Sequence, residues 1–172
     1  MALFGAPPEE YWPYRARLLN KEPTPFSFAF AQGFKALAYV RLDSNGAVAG
    51  DTLTQLRRVL ADGFPVVFGF PVYRSIGLMG PDFIIPPPDA FPYDRVVGGH
   101  ALMAVGYDDT IVFGHGKPEK GNTGGLIIRN SWGDGWGDKG FAYLPYSYVT
   151  GGLACDFWTI FAESNFPLAR FK

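Results

Sequence analysis

Cysteine and histidine are the residue types that this sequence has least of. Its 172 residues include one cysteine, Cys155, and two histidines, His100 and His115. A single thiol excludes an internal disulfide bond and any metal cluster that needs several thiolates. Chemistry that depends on a thiol or an imidazole therefore has very few candidate side chains here.

Charge of either sign is not in excess, because 15 Lys and Arg residues are balanced by 16 Asp and Glu residues. A net charge of −1 gives no electrostatic footprint for nucleic acid or for an anionic membrane. The opening residues MALFGAPPEE lack the basic and apolar regions of a signal peptide. No apolar run approaches the roughly 18 residues of a transmembrane helix. We expect no nucleic-acid or membrane partner, and the sequence leaves the cellular compartment unknown.

Glycine, proline and aromatic residues, by contrast, are abundant. The chain has 22 Gly, 15 Pro and 17% aromatic residues, and 48% of it is hydrophobic. This composition predicts a turn-rich, strand-heavy fold with an aromatic core, in one domain over 1–172. Residues 1–25 are predicted to be an extended segment held by Trp12 and Tyr14. Residues 26–172 are predicted to form an α+β core.

Hydrophobic periodicity predicts one helix and several strands. The helix is DTLTQLRRVLADG at 51–63, where leucines recur at helical spacing before a terminal glycine. The segment 64–73 is apolar on both faces and is predicted to be a buried strand. Residues 74–97 are predicted to form a long irregular loop. The other predicted strands are 34–43, 100–109, 125–130, 140–149 and 156–164. An early helix and late strands predict an α+β fold with a mostly antiparallel sheet.

Two polar side chains stand at the ends of predicted strands. His100 opens one apolar strand behind two glycines, and Asn130 ends another. A neutral histidine works as a base when one tautomer and one orientation are held, and an amide oxygen can accept the hydrogen bond that holds them. A neutral amide adds no buried negative charge, which suits an imidazole paired with a thiolate. Trp132 could cover this bond and exclude water. Taken singly, such residues are more often structural.

The two stretches around these residues together resemble a family. GGHALMAVGYDD and GGLIIRNSWGDGWGDKGFAYLPYSYV resemble the C-terminal half of papain-like cysteine peptidases, which carry an HAV-type strand and an NSWGxxWGxxGY-type segment. The resemblance covers most of the chain and is most specific over 126–149. In this sequence the pattern reads His100-Ala101-Leu102, then Asn130-Ser131-Trp132-Gly133, with Trp136-Gly137 and Gly140-Phe141.

The resemblance implies a fold and a set of roles. The fold would be papain-like, mainly its right-hand β-sheet domain with few helices, and the reaction would be peptide-bond hydrolysis through a thioester. His100 would be the general base and acid, Asn130 would orient its imidazole, and Trp132 would shield their hydrogen bond. The implied substrate is a peptide or a protein, and no cofactor or metal ion is expected.

The resemblance also implies a nucleophilic cysteine, which is not found where the family carries it. In the family it lies about 130–150 residues before the His and Asn, which places it upstream of Met1. It begins a central helix whose N-terminus stabilises the thiolate. We therefore expect this helix to be absent, together with the QxxxxxC segment that supplies the oxyanion-hole glutamine. Cys155 follows Asn130 at the head of the last predicted strand, and we predict a packed structural residue.

Three hypotheses follow from this pattern. In the first, the chain is the His/Asn-bearing part of a papain-like peptidase and is inactive alone. An apolar face would then be exposed and would associate with a complementary Cys-bearing chain or with a second copy. In the second, the chain is a non-catalytic homologue that acts as a peptide-binding or regulatory module. The third, a complete enzyme that uses Cys155, is the least favoured, because a strand cysteine lacks a helix N-terminus.

A metal site is the remaining possibility that the sequence raises. Asp108, Asp109 and His115 lie in one loop-rich stretch. Their spacing matches no standard ligand pattern, so a solvated hairpin loop is the preferred interpretation.

Overall fold

The computed structural model describes residues 2–43, 49–87, 91–113 and 123–163. Short 3₁₀ turns cover Ala16–Leu18 and Arg74–Leu78. The strands form one six-stranded sheet in the order β1-β6-β2-β3-β4-β5. The predicted α+β class with few helices is confirmed. The helices and strands are, in chain order, α1 (Pro25–Ala31), β1 (Ala36–Arg41), α2 (Ala49–Ala61), β2 (Val66–Tyr73), β3 (Val96–Val112), β4 (Thr123–Arg129), β5 (Phe141–Pro145), α3 (Ser147–Thr150) and β6 (Cys155–Glu163).

The chain divides into two compact units. The expectation of one domain over 1–172 stays a prediction. The first unit comprises 1–40 with 160–172, and the second comprises 41–159. In the first unit, α1 begins at Pro25, and the side chain of Thr24 accepts a hydrogen bond from the Ser27 N–H. Aromatic rings pack together along this unit: Tyr11, Phe26, Phe30 and Phe34.

The segment 1–25 differs from the prediction. It contains turns and a 3₁₀ turn rather than a continuous extended strand, and Tyr14 is 81% exposed. Tyr14 therefore does not hold this segment by burial. Trp12 instead lines a small apolar cavity with Phe4 and Phe28.

The second unit is built on an antiparallel sheet with β3 at its centre. On one side β3 pairs with β2, from Val66↔Ala104 to Tyr73↔Val96. On the other side it pairs with β4, which in turn pairs with β5. From Gly98 to Ala104, β3 pairs with β2 without a register shift, so its side chains there are held in fixed rows across the sheet.

The two faces of this sheet have different surroundings. Helix α2 packs against β2 and β3 and buries Leu56 and Leu60 against them. We call this side the core face, and it includes Phe68, Phe70 and Leu102, all buried. Complete burial of one such side chain contributes about 2 kcal/mol.

The opposite side, which we call the outer face, is exposed. It carries Val67, Met103 and Val105, each about 40% exposed. The prediction that 64–73 is buried on both faces is therefore wrong, since the buried residues of β2 alternate with Val67, which is exposed, and with half-buried residues. An all-apolar strand does not reveal how many of its faces are covered.

Most predicted elements lie within a few residues of the observed ones, with one exception. The predicted strand 140–149 ends early, because β5 stops at Pro145 and the chain then forms α3. The described residues of the long segment 74–97 are mainly irregular, as predicted, before β3 begins at Val96. None of the helices in the described ranges combines the length and the apolar character that a membrane crossing requires.

Asp43 connects the end of β1 to the start of β6. Its carboxylate accepts hydrogen bonds from the backbone N–H groups of Asp156, at 2.6 Å, and Phe157, at 2.9 Å. Arg41 donates a further bond at 3.0 Å. Burial opposes ionisation of Asp43, but the bonds from Arg41 and from the two N–H groups outweigh it and lower its pKa below the usual value.

Replacing Asp43 by Asn should destabilise the fold in a pH-dependent way. We expect Asp43→Asn to lower the free energy of unfolding by about 1–3 kcal/mol at pH 7, because charged hydrogen bonds are lost. The folded-state pKa is lowered, so this contribution is complete above the ordinary carboxyl pKa of about 4 and is lost as the pH falls below it. Urea unfolding at pH 7 and pH 3 measures the effect. The exposed control Asp62→Asn should change little, and an Asp43→Asn deficit that is equal at both pH values would contradict this account.

Candidate active site

His100 lies on β3 at the end of the core-facing row. It is paired across the sheet with Phe70, and the two ring centroids are 6.2 Å apart. Further along the same row, Leu102 and Ala104 are fully packed. The imidazole itself is only partly buried. The core therefore packs against part of the ring, and another part of the ring remains accessible to solvent.

Asn130 follows β4 directly and lies next to the histidine. Met103 is paired with Arg129, so the same register continued by one residue brings Asn130 opposite Leu102, two residues from His100. The Asn130 side chain is buried, with 7% of the residue exposed. Its Oδ1 lies 2.8 Å from His100 Nε2. The structure thus brings together the two residues that the sequence analysis proposed as a pair.

The direction of this hydrogen bond follows from a third contact. The backbone N–H of Ser131 donates to Asn130 Oδ1 at 2.7 Å, and an N–H group can only donate. The bonded amide atom is therefore the oxygen, so His100 must donate from Nε2. In the neutral ring this leaves Nδ1 as the atom with a free lone pair. Nδ1 is the nitrogen that can accept a proton from a neighbouring acid.

Ser131 was not singled out from the sequence. Its contribution is a main-chain N–H, which no side-chain pattern signals. Asn130 Nδ2 is also buried, and it makes no hydrogen bond within the described part of the chain. The amide is therefore held through its oxygen alone.

Two tryptophans lie beside the imidazole. The ring of Trp132 stacks on His100 with 4.8 Å between centroids and 24° between planes. Trp136 meets Trp132 edge-on at 5.7 Å. Trp132 is 48% exposed, so it covers one side of the histidine while its own outer side faces solvent. The cover over the imidazole is therefore partial, and the shielding of the His100–Asn130 bond stays a prediction.

The glycine-rich turn after Asn130 holds that residue from the main chain. The Asn130 N–H donates to Gly140 O at 2.9 Å, and the Gly140 N–H donates to Trp136 O at 2.7 Å. Gly137 has φ of +59°, and a Cβ added there would lie 2.1 Å from Phe141 O. The turn can therefore form only with glycine at this position. These bonds and this close approach make the glycine-rich turn a support for the main chain at Asn130.

Cys155 occupies a different place from the one predicted. Its side chain is exposed, so the prediction of a packed residue is wrong. Cys155 is paired with Gly69, which on its other side is paired with Ala101, the neighbour of His100. Paired residues point to the same face, so the thiol lies on the outer face and His100 on the core face. Two strand spacings, about 10 Å, also separate the backbones of Cys155 and Ala101, well beyond hydrogen-bonding reach.

The acidic residues near the end of β3 take part in a local network. Asp109 pairs with Arg57 and accepts a hydrogen bond from the hydroxyl of Tyr146 at 2.8 Å. Burial, followed by this bond to Asp109, raises the pKa of the Tyr146 hydroxyl well above its usual value. Asp108 instead accepts from Thr110. His115 lies outside the described residues. Within those residues, no three His, Cys, Asp or Glu side chains lie close enough together to hold a metal ion.

This arrangement was compared with known proteins. A profile of the papain family cysteine proteases matches residues 32–156. An uncharacterised peptidase C1-like protein of Acanthamoeba polyphaga mimivirus is 32% identical over an alignment of 163 residues, and the alignment covers 91% of this chain and 47% of that protein. The chain thus spans about half the length of this curated relative.

Solved structures show the same fold. Xylellain, a cysteine protease from Xylella fastidiosa, is 33% identical with a TM-score of 0.66, over 92% of this chain and 57% of that chain. The cysteine protease and lectin-like domains of Cwp84 from Clostridium difficile give a TM-score of 0.63 at 19% identity, over 95% of this chain and 34% of that chain. Bromelain from Ananas comosus gives 0.54 at 15% identity, over 92% and 64% of the two chains. The similarities to Cwp84 and to bromelain show a shared fold only.

The profile match covers most of the chain, and the His100–Asn130 geometry lies within the matched range. The fold and the match define a papain-like cysteine peptidase domain. The chain belongs to the papain family of cysteine proteases.

The two glycines at 135 and 137 give a matched pair of variants. We expect Gly137→Ala to lower the free energy of unfolding by about 2 kcal/mol or more, because alanine is strained at positive φ and its Cβ would meet Phe141 O. Gly135→Ala should change it by less than about 1 kcal/mol, since no atom lies within 4 Å of the added carbon. Urea unfolding of both variants measures the difference. Equal losses would show that the turn is not held as described.

Proposed function

We propose that this chain supplies the base and its orienting amide for peptide-bond hydrolysis by a papain-like thiol peptidase. The nucleophilic thiol comes from a polypeptide segment other than residues 1–172, and the chain alone is inactive. The observation that carries this proposal is the hydrogen bond from His100 Nε2 to Asn130 Oδ1, which leaves Nδ1 free to accept a proton.

The roles follow from the atoms available. His100 Nδ1 would take the thiol proton, and the resulting imidazolium would stabilise the thiolate. After attack on the peptide carbonyl, the same nitrogen would return that proton to the leaving amine. Asn130 would keep the ring in place in both protonation states, because a neutral amide oxygen accepts from Nε2–H throughout. Trp132 would limit the access of water to this bond.

The location of Cys155 supports an external source for the thiol. The cysteine is exposed on the outer face, while His100 lies on the core face. No described helix begins at Cys155, so the helix dipole that would lower a thiol pKa is missing from its surroundings.

The exposed outer face supports the proposal that a partner of complementary shape binds there. Val67, Met103 and Val105 present adjoining apolar surface on the middle strands of the sheet. We infer that a complementary polypeptide covers part of this face. The thiol itself must approach from the core face, where His100 lies. A second copy of the chain is the alternative occupant, which a measurement of the molecular mass in solution would reveal.

Chemical labelling of Cys155 directly tests whether this cysteine is the nucleophile. We expect iodoacetamide to label Cys155 at the rate of an ordinary exposed thiol, and His100→Ala to leave that rate unchanged within about twofold. Mass spectrometry over a time course measures both rates. Rapid labelling that is lost in His100→Ala would identify Cys155 as the nucleophile and would sink the proposal of an external thiol.

A chimera with xylellain tests the role of His100. The part of xylellain that this chain does not match would be joined to residues 1–172 and assayed with a fluorogenic peptide. We expect thiol-dependent hydrolysis, a loss of about 10³-fold in kcat for His100→Ala, and a smaller loss for Asn130→Ala. The chain by itself should show no hydrolysis.

The surface variant Asp62→Asn serves as the control in the chimera and should retain full activity. Circular dichroism verifies that each chimera is folded. A folded chimera without activity would contradict the proposal and would favour the non-catalytic, peptide-binding or regulatory homologue.

A further inference from the structure

The orientation of the His100 ring requires more than its hydrogen bond to Asn130. That bond holds Nε2 at 2.8 Å from Asn130 Oδ1. In an imidazole, Nε2 lies closer to the axis of rotation about χ2 than Nδ1 does. The single bond at Nε2 therefore restrains the swing of Nδ1 around that axis only weakly. Contacts on the ring itself must set the direction in which Nδ1 points.

Trp132 and Phe70 both contact the imidazole, but their own supports differ. Trp132 stacks on the ring but is 48% exposed. Phe70 is 4% exposed and is paired with His100 across β2 and β3. The centroids of Phe70 and His100 are 6.2 Å apart and their planes meet at 54°. A packed ring has less freedom to move than a half-exposed one, so Phe70 is the firmer support.

Phe70 is itself held by Tyr148. The two rings meet edge-on, with 6.0 Å between centroids and 65° between planes. Tyr148 lies in α3 and is 1% exposed, and Tyr73 meets it edge-on at 6.4 Å. An edge-on contact depends on the orientation of both rings, because the positive edge of one faces the negative face of the other. A rotated Tyr148 would therefore disturb Phe70.

A directional hydrogen bond fixes the orientation of Tyr148. Its hydroxyl donates to Pro86 O at 2.8 Å, and this bond is buried. The acceptor is held in place as well, because the preceding residue Ile85 donates its N–H to Tyr143 O at 2.9 Å, next to the bridge between Ile84 and Tyr143. A buried hydroxyl without a partner is unfavourable, so the tyrosine keeps this orientation.

We propose that Tyr148 and Phe70 are positioning residues for the base. The bond to Pro86 O orients Tyr148, Tyr148 orients Phe70, and Phe70 limits the rotation of the His100 ring about χ2. Nδ1 is thereby directed to one place. The importance of Nδ1 rests on the proposed peptidase role, whereas the restraint on the ring can be measured on this chain without any hydrolysis.

NMR of the imidazole nitrogens on the full 172-residue chain tests the restraint. The chain has two histidines, and His100→Ala identifies the His100 signals. In the wild type we expect one neutral tautomer, with the proton on Nε2 and in slow exchange with water.

Two variants weaken the proposed support at different points. Tyr148→Phe keeps the ring and removes only the hydroxyl that bonds to Pro86 O. A freer ring opens its bond to Asn130 more often, so the Nε2 proton should exchange about fivefold faster, the factor expected for one lost hydrogen bond. Phe70→Leu removes the contacting ring, and exchange should be at least as fast as in Tyr148→Phe.

Two matched controls change similar groups elsewhere in the second unit. Tyr146→Phe removes a hydroxyl that bonds to Asp109 instead. Phe157→Leu shortens an equally buried ring that stacks on Phe68, one ring further from His100. In both controls the Nε2 proton should exchange at the wild-type rate within about twofold, because changes at separate sites act independently.

The backbone N–H of Leu102 is the internal reference in every variant, because global opening exposes it together with the Nε2 proton. Equal acceleration of the two protons would mean a merely structural role and would overturn the inference. Wild-type exchange in folded Tyr148→Phe would also overturn it, and this variant decides the outcome if Phe70→Leu does not fold. An inactive xylellain chimera would contradict the proposed function but would leave the NMR result unaffected, so the two failures are distinguishable.

Discussion

The register of β3 against its two neighbours is the constraint on which the candidate site depends. His100 is paired with Phe70, and Met103 with Arg129, so the imidazole stays on the core face and Asn130 reaches it from the adjacent strand. A slip of one residue would turn every β3 side chain to the opposite face. Leu102 and Ala104, both buried, oppose such a slip. The packing of aliphatic side chains, remote from any chemistry, thereby fixes the position of the histidine.

Local signals in the sequence were sufficient for most elements of the fold. The leucines of α2 form a periodic pattern, β2 and β4 are continuous apolar runs, and each element was found within a few residues. Helix α1 was missed although Thr24 and Pro25 supply a cap and a first-turn proline. Helix α3 has four residues, too few for a helical period to show. The division into two units and the exposure of the outer face depend on contacts distant in sequence, which periodicity does not report.

Part of the candidate site was also predicted, but from the family resemblance rather than from local patterns in the sequence. His100 and Asn130 are 30 residues apart, so only the family resemblance joined them before the strand register was known. The prediction for Cys155 was wrong because long-range geometry decides its environment. The pairing of β6 with β2 shifts between Val67 and Gly69, and Asp156 adopts φ of +62°. Asp43, more than 110 residues away in sequence, holds the N–H of Asp156 in that conformation. No local pattern around the cysteine carries this information.

The stack of Trp132 on His100 gives the protein an optical reporter of its own imidazole. The two rings lie 4.8 Å apart and nearly parallel, so a proton gained by the histidine places a positive charge against the face of the indole. A cation at that distance quenches indole fluorescence by accepting electron density from the excited ring. The edge-on contact with Trp136 restrains the indole, so the stacking geometry is kept while the charge changes. Protonation of His100 is therefore expected to lower the emission of Trp132, one of the four tryptophans in the sequence.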